Sequence, residues 1–422
     1  MDMMLRVLFV ALSCCMAMLC AAADTMTGVF DERIKSLQVS VDGDAFAPDV
    51  IVLGTPDRIR VEFDHLAEDR EYFRYSLQHC DARWQPSGLV DSEFLDGFNE
   101  GRIEDYDYSR ATTVHYVHYS LTIPNEEVAP TISGNYLLTV YKEDDPESPV
   151  LQCRFMVSEQ TAPVQAFVTS RTDVDYNAAH QQLEICVDTE RAGVEDIYND
   201  LRVVVGQNGR LDSERALVHP LRTSGRKAYF EHVPELIFEA GNEYRRFETV
   251  SEYYPGLGVE SIDFQDPYRH FYLYVDEQRS ESSYVYDQTQ HGRFFVRRQG
   301  ASDSEVEADY GVVHFALDMP QLTDGSMIFL DGDFVNRRFD PESAMRYNPV
   351  SGRYERTMLL KQGAYNYQYL FVPPGAMRGY TANIEGDSYQ TSNEYLVKVY
   401  HRPRGHRYDH LVGVTLITTD NQ

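Results

Sequence analysis

Residues 71–84 read EYFRYSLQHCDARW, and side chains of two kinds alternate through the first ten. Such alternation is typical of a β-strand, in which successive side chains point to opposite faces. One face is predicted to carry Phe73, Tyr75, Leu77, His79 and Asp81, and the other Tyr72, Arg74, Ser76, Gln78 and Cys80. A histidine, a cysteine and an aspartate in a row could form a metal site, a nucleophile with its base, or part of a packed core.

The predicted strand argues against joint chemistry by His79 and Cys80. A nucleophile and its base, or two ligands of one zinc ion, have to converge, whereas these two side chains diverge. His79 and Asp81 share a face that is otherwise apolar. We therefore expect a histidine at the edge of a core, hydrogen-bonded to the neighbouring carboxylate. We expect His79, Asp81 and Trp84 to hold the first domain together.

The same alternation recurs along the rest of the chain, whereas helical periodicity is scarce. Many short strands separated by turn-rich segments are typical of antiparallel β-sandwiches. Polar segments near residues 158–165 and 297–311 indicate junctions between domains. The sequence therefore predicts an all-β protein with serial antiparallel β-sandwich domains at residues 24–160, 161–300 and 301–422.

The N-terminus has the features of a signal peptide over residues 1–23. A single arginine precedes an apolar run at residues 7–19, and Ala21-x-Ala23 fits cleavage before Asp24. No later stretch approaches the roughly 18 apolar residues that a membrane helix needs. We expect a periplasmic, exported and soluble protein without direct membrane insertion.

The composition is strongly acidic. The chain has 67 acidic and 38 basic residues, and its formal net charge is −29. A field of this sign repels phosphate backbones, so no nucleic-acid partner is expected. The charge favours either simple solubility or a partner with a basic surface.

Three cysteines lie beyond the predicted signal peptide: Cys80, Cys153 and Cys186. An odd number allows at most one disulfide, so no disulfide framework is predicted. Buried free thiols are the expected state. A bridge between Cys80 and Cys153 remains an alternative.

Other motifs in the sequence give only weak evidence for metal binding or catalysis. His115 and His118 fall on opposite faces of a predicted strand, so they cannot hold one metal ion without a bulge. The acidic stretches 104–108 and 331–334 lack the ligand spacing of a calcium loop, although weak calcium binding stays open. The sequence contains no recognisable nucleophile elbow, zinc-protease, phosphate-binding or dinucleotide motif. Paired carboxylates for glycoside hydrolysis converge only in the fold and also stay open. We predict no catalytic residues, no metal and no cofactor.

Several strings together resemble a known family. They include HCDARW (79–84), SEFLDGF (92–98), HYVHYSLTIPNE (115–126), SGNYLLTVY (133–141), VDYNAAHQQL (174–183), GQNGR (206–210), GNEYRRFE (241–248) and LKQGAYNYQY (360–369). In this order they resemble the type IX secretion system plug proteins of the Bacteroidota. The signature residues, interpreted as structural, are His79, Cys80, Asp81, Trp84, Gly97, His118, Tyr119, Asn125, Gly134, Asn135, Tyr136, Asn177, Asn208, Asn242 and Glu243.

The resemblance implies a periplasmic protein that binds the mouth of the large outer-membrane translocon β-barrel. It implies a gate that occludes the pore by protein–protein contact, with no enzyme activity and no cofactor. A third possibility, that the protein is itself a cargo of the system, is disfavoured because no separate sorting domain follows the last strands.

The last domain also resembles the Ig-like early-set modules of glycogen-binding and amylase-associated domains. Those modules carry a tryptophan for sugar stacking shortly after an asparagine, whereas here Asn336 is followed by Arg337 and Arg338. This departure favours a structural or docking module. The alternative function, a periplasmic or surface glycan-binding β-sandwich protein, rests on this module and on the 30 tyrosines.

Overall fold

The computed structural model describes residues 25–419, and the predicted signal peptide lies outside them. Strands and the turns between them make up nearly all of this part, which confirms the all-β prediction with its several antiparallel sheets. No helix within the described range is long and apolar enough to cross a membrane.

The first sandwich is formed by the N-terminal strands. These are β1 (Gly28–Val29), β2 (Ile34–Val41), β3 (Val50–Val52), β4 (Ile59–His65), β5 (Phe73–Cys80), β6 (Leu95–Gly97), β7 (Gly101–Arg102), β8 (Asp105–Tyr108), β9 (Val117–Ile123), β10 (Val128–Pro130), β11 (Gly134–Lys142) and β12 (Asp145–Ser158). A short helix, α1 (Asp91–Phe94), precedes β6. One sheet has the order β1-β12-β11-β5-β7 with β3 parallel to β12, the opposing sheet has the order β2-β4-β9-β8, and β6 pairs with β10.

The core of this sandwich follows from the alternation in β5 and its neighbours. Phe73, Tyr75 and Leu77 are buried, whereas Arg74 and Ser76 between them are partly exposed. The inward side chains pack between the two sheets with rings from β4, β9, β11 and β12. Burying such a side chain contributes roughly 2 kcal/mol to stability, so this face fixes the register of β5.

The second sandwich begins with β13 (Val164–Thr169), β14 (His180–Asp188), β15 (Leu201–Gln207), β16 (Arg210–Leu217), β17 (Arg222–Ser224), β18 (Lys227–Phe230) and β19 (Ile237–Glu239). A 3₁₀ turn at Pro234–Leu236 leads into β19. One sheet has the order β13-β14-β18-β17, with β19 also paired to β14. The facing sheet begins with β16 and β15 and is completed by strands from the far end of the chain.

The third sandwich contains β20 (Arg245–Glu248), β21 (Val259–Gln265), β22 (Tyr268–Leu273), β23 (Asp276–Glu277), β24 (Phe294–Val296), β25 (Tyr310–Asp318), β26 (Met327–Asp331), β27 (Arg346–Asn348), β28 (Arg353–Lys361) and β29 (Gly363–Val372). It also has α2 (Ser304–Glu307) and a 3₁₀ turn at Asp333–Val335. One sheet has the order β21-β22-β25-β28-β27 with β23 on β25, and the other has the order β20-β29-β24 with β26 on β29.

The last two strands, β30 (Glu394–His401) and β31 (His410–Thr418), return to the second sandwich. β30 pairs with β15, so Val203 lies opposite Val399, and the sheet has the order β16-β15-β30-β31. Each of the predicted segments 161–300 and 301–422 therefore contributes strands to both sandwiches. The division predicted at residue 300 does not follow the sheets, because pairing joins strands that are distant in the chain.

Candidate functional site

His79 occupies the end of β5 and is 1% exposed. Its Nδ1 lies 2.9 Å from Ser87 Oγ, and its Nε2 lies 3.1 Å from the carbonyl oxygen of Ser133. Burial lowers the pKa of this imidazole, so the neutral form is favoured. The neutral ring connects β5 to two loops, so His79 has a structural role.

The predicted hydrogen bond between His79 and Asp81 is wrong. β5 ends at Cys80, and the chain then turns. Within that turn Asp81 Oδ1 accepts hydrogen bonds from the backbone N–H groups of Arg83 (2.8 Å) and Gln85 (2.9 Å). Asp81 therefore stabilises the turn, as aspartates commonly do, and Ser87 and Ser133 take its expected place beside the imidazole.

Two signature glycines lie where a side chain would collide. At Gly134 the φ angle is +141°, and a Cβ atom would lie 2.3 Å from His79 Nε2. At Gly97 the φ angle is +104°, and a Cβ atom would lie 1.8 Å from the Glu127 carbonyl oxygen. Only glycine combines this backbone conformation with so close an approach. Gly134 thus allows β11 to pack against the ring of His79.

The first and second sandwiches meet through an apolar cluster, called here the first–second junction. Its buried members are Cys80, Ala82, Trp84, Leu137, Met156, Val204, Tyr400 and Leu411. Trp84 has a positive φ of 61°, and the Arg154 guanidinium lies 4.3 Å from its ring centre. The tryptophan predicted to hold the first domain together therefore also packs against the second sandwich.

Asn135 provides the polar link across this junction. Its Nδ2 donates to the Asp81 carbonyl oxygen at 2.8 Å, and its Oδ1 accepts from the Tyr400 hydroxyl at 2.8 Å. Both Asn135 and Tyr400 are buried. Buried polar groups of this kind fix orientation because each would be costly to leave unpaired.

Cys80 and Cys153 lie on opposite sides of one sheet, and Cys186 lies on β14 of the second sandwich. Cys80 lies in the first–second junction, whereas Cys153 lies in the core of the first sandwich, and Cys80, Cys153 and Cys186 are all free thiols. The alternative disulfide between Cys80 and Cys153 is therefore not formed. Burial raises the pKa of the Cys80 thiol to about 12, which removes the thiolate that a nucleophile needs.

The first and third sandwiches meet through buried charges, called here the first–third junction. Asp64 on β4 is fully buried, and its Oδ2 accepts hydrogen bonds from Lys361 Nζ and the Tyr310 hydroxyl, both at 2.6 Å. Its Oδ1 lies 2.8 Å from His118 Nδ1. The Lys361 ammonium also stands 4.3 Å from the centre of the Tyr116 ring. One carboxylate thus binds two groups from the third sandwich and one from its own.

The pKa values follow this geometry. Burial by itself would raise the pKa of Asp64, but Lys361 and His118 outweigh it and hold the pKa below its ordinary range. Burial would likewise lower the pKa of His118, yet its contacts with Asp64 and Glu62 raise it to about 9. His118 is therefore positively charged at neutral pH. His115, by contrast, lies outside the strand and contacts Glu68 at 2.6 Å.

The other signature residues of the first sandwich stabilise loops. The Tyr119 hydroxyl donates to the Glu71 carbonyl oxygen at 2.9 Å. Asn125 Oδ1 accepts from the backbone N–H of Val128 at 2.9 Å. The Tyr136 hydroxyl donates to a carbonyl oxygen four residues earlier, at 2.8 Å.

The signature residues of the later segments also contact loops and strand ends. Asn177 Oδ1 accepts from the Ser170 hydroxyl at 2.7 Å, within one loop. Asn208 Oδ1 accepts from the N–H at the start of β30 at 2.9 Å. Asn242 donates to a backbone carbonyl at 2.8 Å, and Glu243 Oε1 accepts from the Tyr284 hydroxyl at 2.6 Å. The Asn177 and Asn208 contacts lie within the second sandwich, whereas those of Asn242 and Glu243 lie in the segments that lead from the second sandwich to the third.

Arg337 is buried and its contacts stabilise the fold. Its side chain is 8% exposed, and its Nε lies 2.7 Å from Asp333 Oδ1. Its Nη2 donates to the His291 carbonyl oxygen at 2.6 Å. The position that follows Asn336 therefore holds a buried arginine that is ion-paired within the fold. No group of three or more His, Cys, Asp or Glu side chains within residues 25–419 is placed to hold a metal ion.

Two exposed clusters combine arginine with aromatic rings. In the Arg70 patch, the guanidinium donates to the hydroxyls of Tyr72 (2.6 Å) and Tyr106 (2.8 Å), and the Tyr108 ring packs against Tyr106. Tyr72 and Tyr108 are 53% and 45% exposed. The sequence did not reveal this patch, because alternation alone does not distinguish an exposed tyrosine from a buried one.

The second cluster, the Arg269 patch, lies on the third sandwich. The Arg269 guanidinium is 4.9 Å from the ring centre of Phe264 and 6.0 Å from that of Tyr253. Both rings are largely exposed. Arginine and large aromatic side chains are enriched where proteins bind one another, so both patches are candidate contact surfaces.

Comparison with known proteins identifies relatives. Residues 34–159 match the model of the type 9 secretion system plug protein first domain. The crystal structure of a hypothetical protein from Parabacteroides merdae is similar with a TM-score of 0.92 and 40% identity, covering 93% of this chain and 99% of that one. No curated protein matches the sequence.

Two further structures are only distantly similar. An alkylpurine DNA glycosylase from Pseudomonas fluorescens has 12% identity over 30% of each chain and a TM-score of 0.16. A Salmonella alpha-2-macroglobulin variant has 9% identity and a TM-score of 0.19, covering 93% of this chain and 33% of that one. Scores this low carry no argument about fold or function. The comparisons therefore show that residues 34–159 match the first domain of the type 9 secretion system plug proteins, and that the whole chain is related to the Parabacteroides merdae protein.

Proposed function

We propose that the protein is a periplasmic plug that binds the outer-membrane translocon β-barrel of the type IX secretion system and occludes it. It acts by protein–protein contact and excluded volume, without catalysis. The observation that carries this proposal is the match of residues 34–159 to the plug first domain. The long acidic chain with a predicted signal peptide is consistent with an exported binding protein.

The junctions support this role because a plug has to keep its shape. Asp64 and Lys361 connect the first sandwich to the third, and Asn135 and Tyr400 connect it to the second. All four side chains are buried. Groups fixed in this way oppose sliding of one sandwich past another.

We further propose that the Arg70 patch contacts the barrel. It lies within the segment that matches the plug first domain, and its exposed tyrosines and arginine have the composition of an interface centre. The acidic net charge favours a basic partner surface around this contact.

Co-purification and permeability test the main proposal. The full chain, tagged and isolated from its native envelope, is expected to retain a very large outer-membrane barrel. Deletion is expected to make the outer membrane permeable to large antibiotics when the barrel is present and to have no such effect when the barrel is also deleted. Unchanged permeability together with absence of the barrel from the purified sample would refute the plug role.

Matched substitutions test the contact surface. Tyr72→Ser with Tyr108→Ser is expected to weaken barrel retention by about tenfold or more without lowering the melting temperature, because exposed rings contribute little to folding. Tyr253→Ser with Phe264→Ser, in the Arg269 patch, is the control and is expected to keep full retention. Loss of retention only in the second pair would refute the assignment to the Arg70 patch.

The glycan-binding alternative has its own test. Affinity electrophoresis through gels that contain different glucans is expected to leave the mobility of the protein unchanged, because Arg337 is ion-paired within the fold rather than free for a sugar. Clear retardation by one glucan would support the alternative.

A further inference from the structure

A cavity of about 370 Å³ lies where the three sandwiches meet. The first sandwich contributes Trp84 and Met156 to its wall, the second contributes Leu396, and the third contributes Phe294 and Phe295. Ligand sites commonly have volumes of roughly 300–1,000 Å³ and commonly lie between domains. Size, position and an aromatic lining all fit a binding site for a small organic molecule.

Most charged groups in the wall already pair with one another. Arg293 Nη2 lies 2.7 Å from Glu394 Oε1, Arg337 pairs with Asp333 at 2.7 Å, and Lys398 pairs with Glu214. These arginine and lysine side chains are therefore occupied. An anionic ligand would have to compete with carboxylates for every one of these cations.

Two carboxylates in the wall differ from the rest. Within residues 25–419, neither the Asp49 carboxylate nor the Glu305 carboxylate has a hydrogen-bond or ion-pair partner. Burial, with Asp333 nearby, raises the pKa of Asp49 to about 7. Burial also raises the pKa of Glu305. Both residues are partly buried at the cavity wall. A partly buried carboxylate without a partner is costly to ionise, and a bound cation would offset that cost.

We propose that this cavity binds a small organic cation, in which an ammonium or amidinium group pairs with Asp49 and an apolar body packs against Trp84, Phe294 and Phe295. A bare metal ion fits less well, because the described residues hold no group of three metal-ligating side chains. An anion fits poorly beside two unpaired carboxylates. This inference is independent of the plug role.

The loop between β2 and β3 carries Asp49 and forms part of the wall. Ala45, Ala47 and Pro48 of this loop also line the cavity. The loop reaches the third sandwich, because the Phe46 carbonyl accepts from Arg293 Nη2 at 3.3 Å and the Phe46 ring lies 5.1 Å from that of Phe295. A ligand held by Asp49 would therefore strengthen contact between the first and third sandwiches.

Three indole probes of similar size and different charge test the site: tryptamine (cation), tryptophol (neutral) and indole-3-propionate (anion). Isothermal titration of the purified chain at pH 8 is expected to give tryptamine a Kd below about 1 mM, at least about tenfold tighter than either other probe. Asp49→Asn is expected to weaken tryptamine by about tenfold or more, whereas Asp69→Asn, an exposed control on the same sandwich, leaves it unchanged.

Proton linkage gives a second readout. Because the carboxylate has to be charged, tryptamine is expected to bind more weakly at pH 6 than at pH 8, and Asp49→Asn is expected to remove that difference. Three results would overturn the proposal: no saturable binding of tryptamine to the wild-type chain, equal binding of the anion, or an undiminished affinity in Asp49→Asn. The comparison of the three probes on the wild-type chain tests the proposal even if a variant fails to fold.

Discussion

The first sandwich meets its two neighbours through different chemistry. The first–second junction is an apolar cluster with a neutral link between Asn135 and Tyr400. The first–third junction is built around the buried charges of Asp64, Lys361 and His118. Removing one member of a neutral contact leaves a polar atom unpaired, whereas removing one member of a buried ion pair leaves a charge unpaired, which is worse. Sensitivity to substitution and to pH should therefore be concentrated at the first–third junction.

The largest effect is expected from Lys361→Met. It leaves the buried Asp64 carboxylate without its ammonium partner, and the free energy of unfolding is expected to fall by about 3–5 kcal/mol. Lys227→Met is the control, since its contact with Asp188 is long (3.9 Å) and exposed and should contribute less than about 1 kcal/mol. Urea denaturation measures both. Equal losses in the two variants would contradict the ionic account of the junction.

The second-largest effect is expected from the pH dependence of stability, which should distinguish the first–third junction from the first–second junction. The folded-state pKa of His118 is raised to about 9, so its contribution is complete below about pH 6.5 and is lost as pH rises through about 9. That loss is at most about 3 kcal/mol. The folded-state pKa of Asp64 is lowered, so its contribution is present above about pH 4 and is lost as pH falls further.

Denaturation midpoints at a series of pH values from 6 to 10 measure the predicted contribution of His118 to stability. The wild-type chain is expected to lose stability toward the alkaline end, and His118→Gln should flatten that slope. A slope that persists unchanged in His118→Gln would show that another group is responsible.

Gly134→Ala tests the packing of β11 on the His79 ring. The new methyl group would meet the imidazole at 2.3 Å in a backbone conformation that favours glycine, so a loss of roughly 2–3 kcal/mol is expected. Replacing His79 by alanine in the same chain should restore part of that loss, because the collision disappears. Thermal unfolding of the two single variants and the double variant gives the coupling, and strict additivity would contradict the contact.

Among the substitutions at the junctions, the smallest loss of stability is expected from Tyr400→Phe, at the first–second junction. It removes one hydroxyl and leaves Asn135 Oδ1 unpaired, so about 1–2 kcal/mol should be lost, independently of pH. Urea denaturation at pH 6.5 and pH 9 measures this. A loss that equals that of Lys361→Met would remove the distinction between the junctions.

The sequence predicted what depends on local pattern. Alternation placed His79 and Cys80 on opposite faces of β5, and the structure shows the imidazole in the first sandwich and the thiol in the junction. The same pattern did not reveal where β5 ends, so Asp81 was assigned to the strand although it serves the following turn. Strand ends depend on turn geometry, which a period of two residues does not encode.

Contacts between residues that are distant in the chain could not be predicted from the sequence. Nothing in the residues around Asp64 indicates that its partner is Lys361, and nothing near β15 indicates that β30 will pair with it. Such contacts arise from the packing of sandwiches rather than from local preference. For the same reason the patterns did not show which carboxylates, such as Asp49, would face a cavity without a partner.

Electrical conductance of the translocon barrel, reconstituted in a planar bilayer, tests the central claim most directly. Addition of the purified protein to the periplasmic side is expected to lower the conductance in a saturable manner, and Tyr72→Ser with Tyr108→Ser should shift that saturation to higher concentration. Conductance that stays unchanged at saturating wild-type protein would contradict the proposal that this molecule closes the pore.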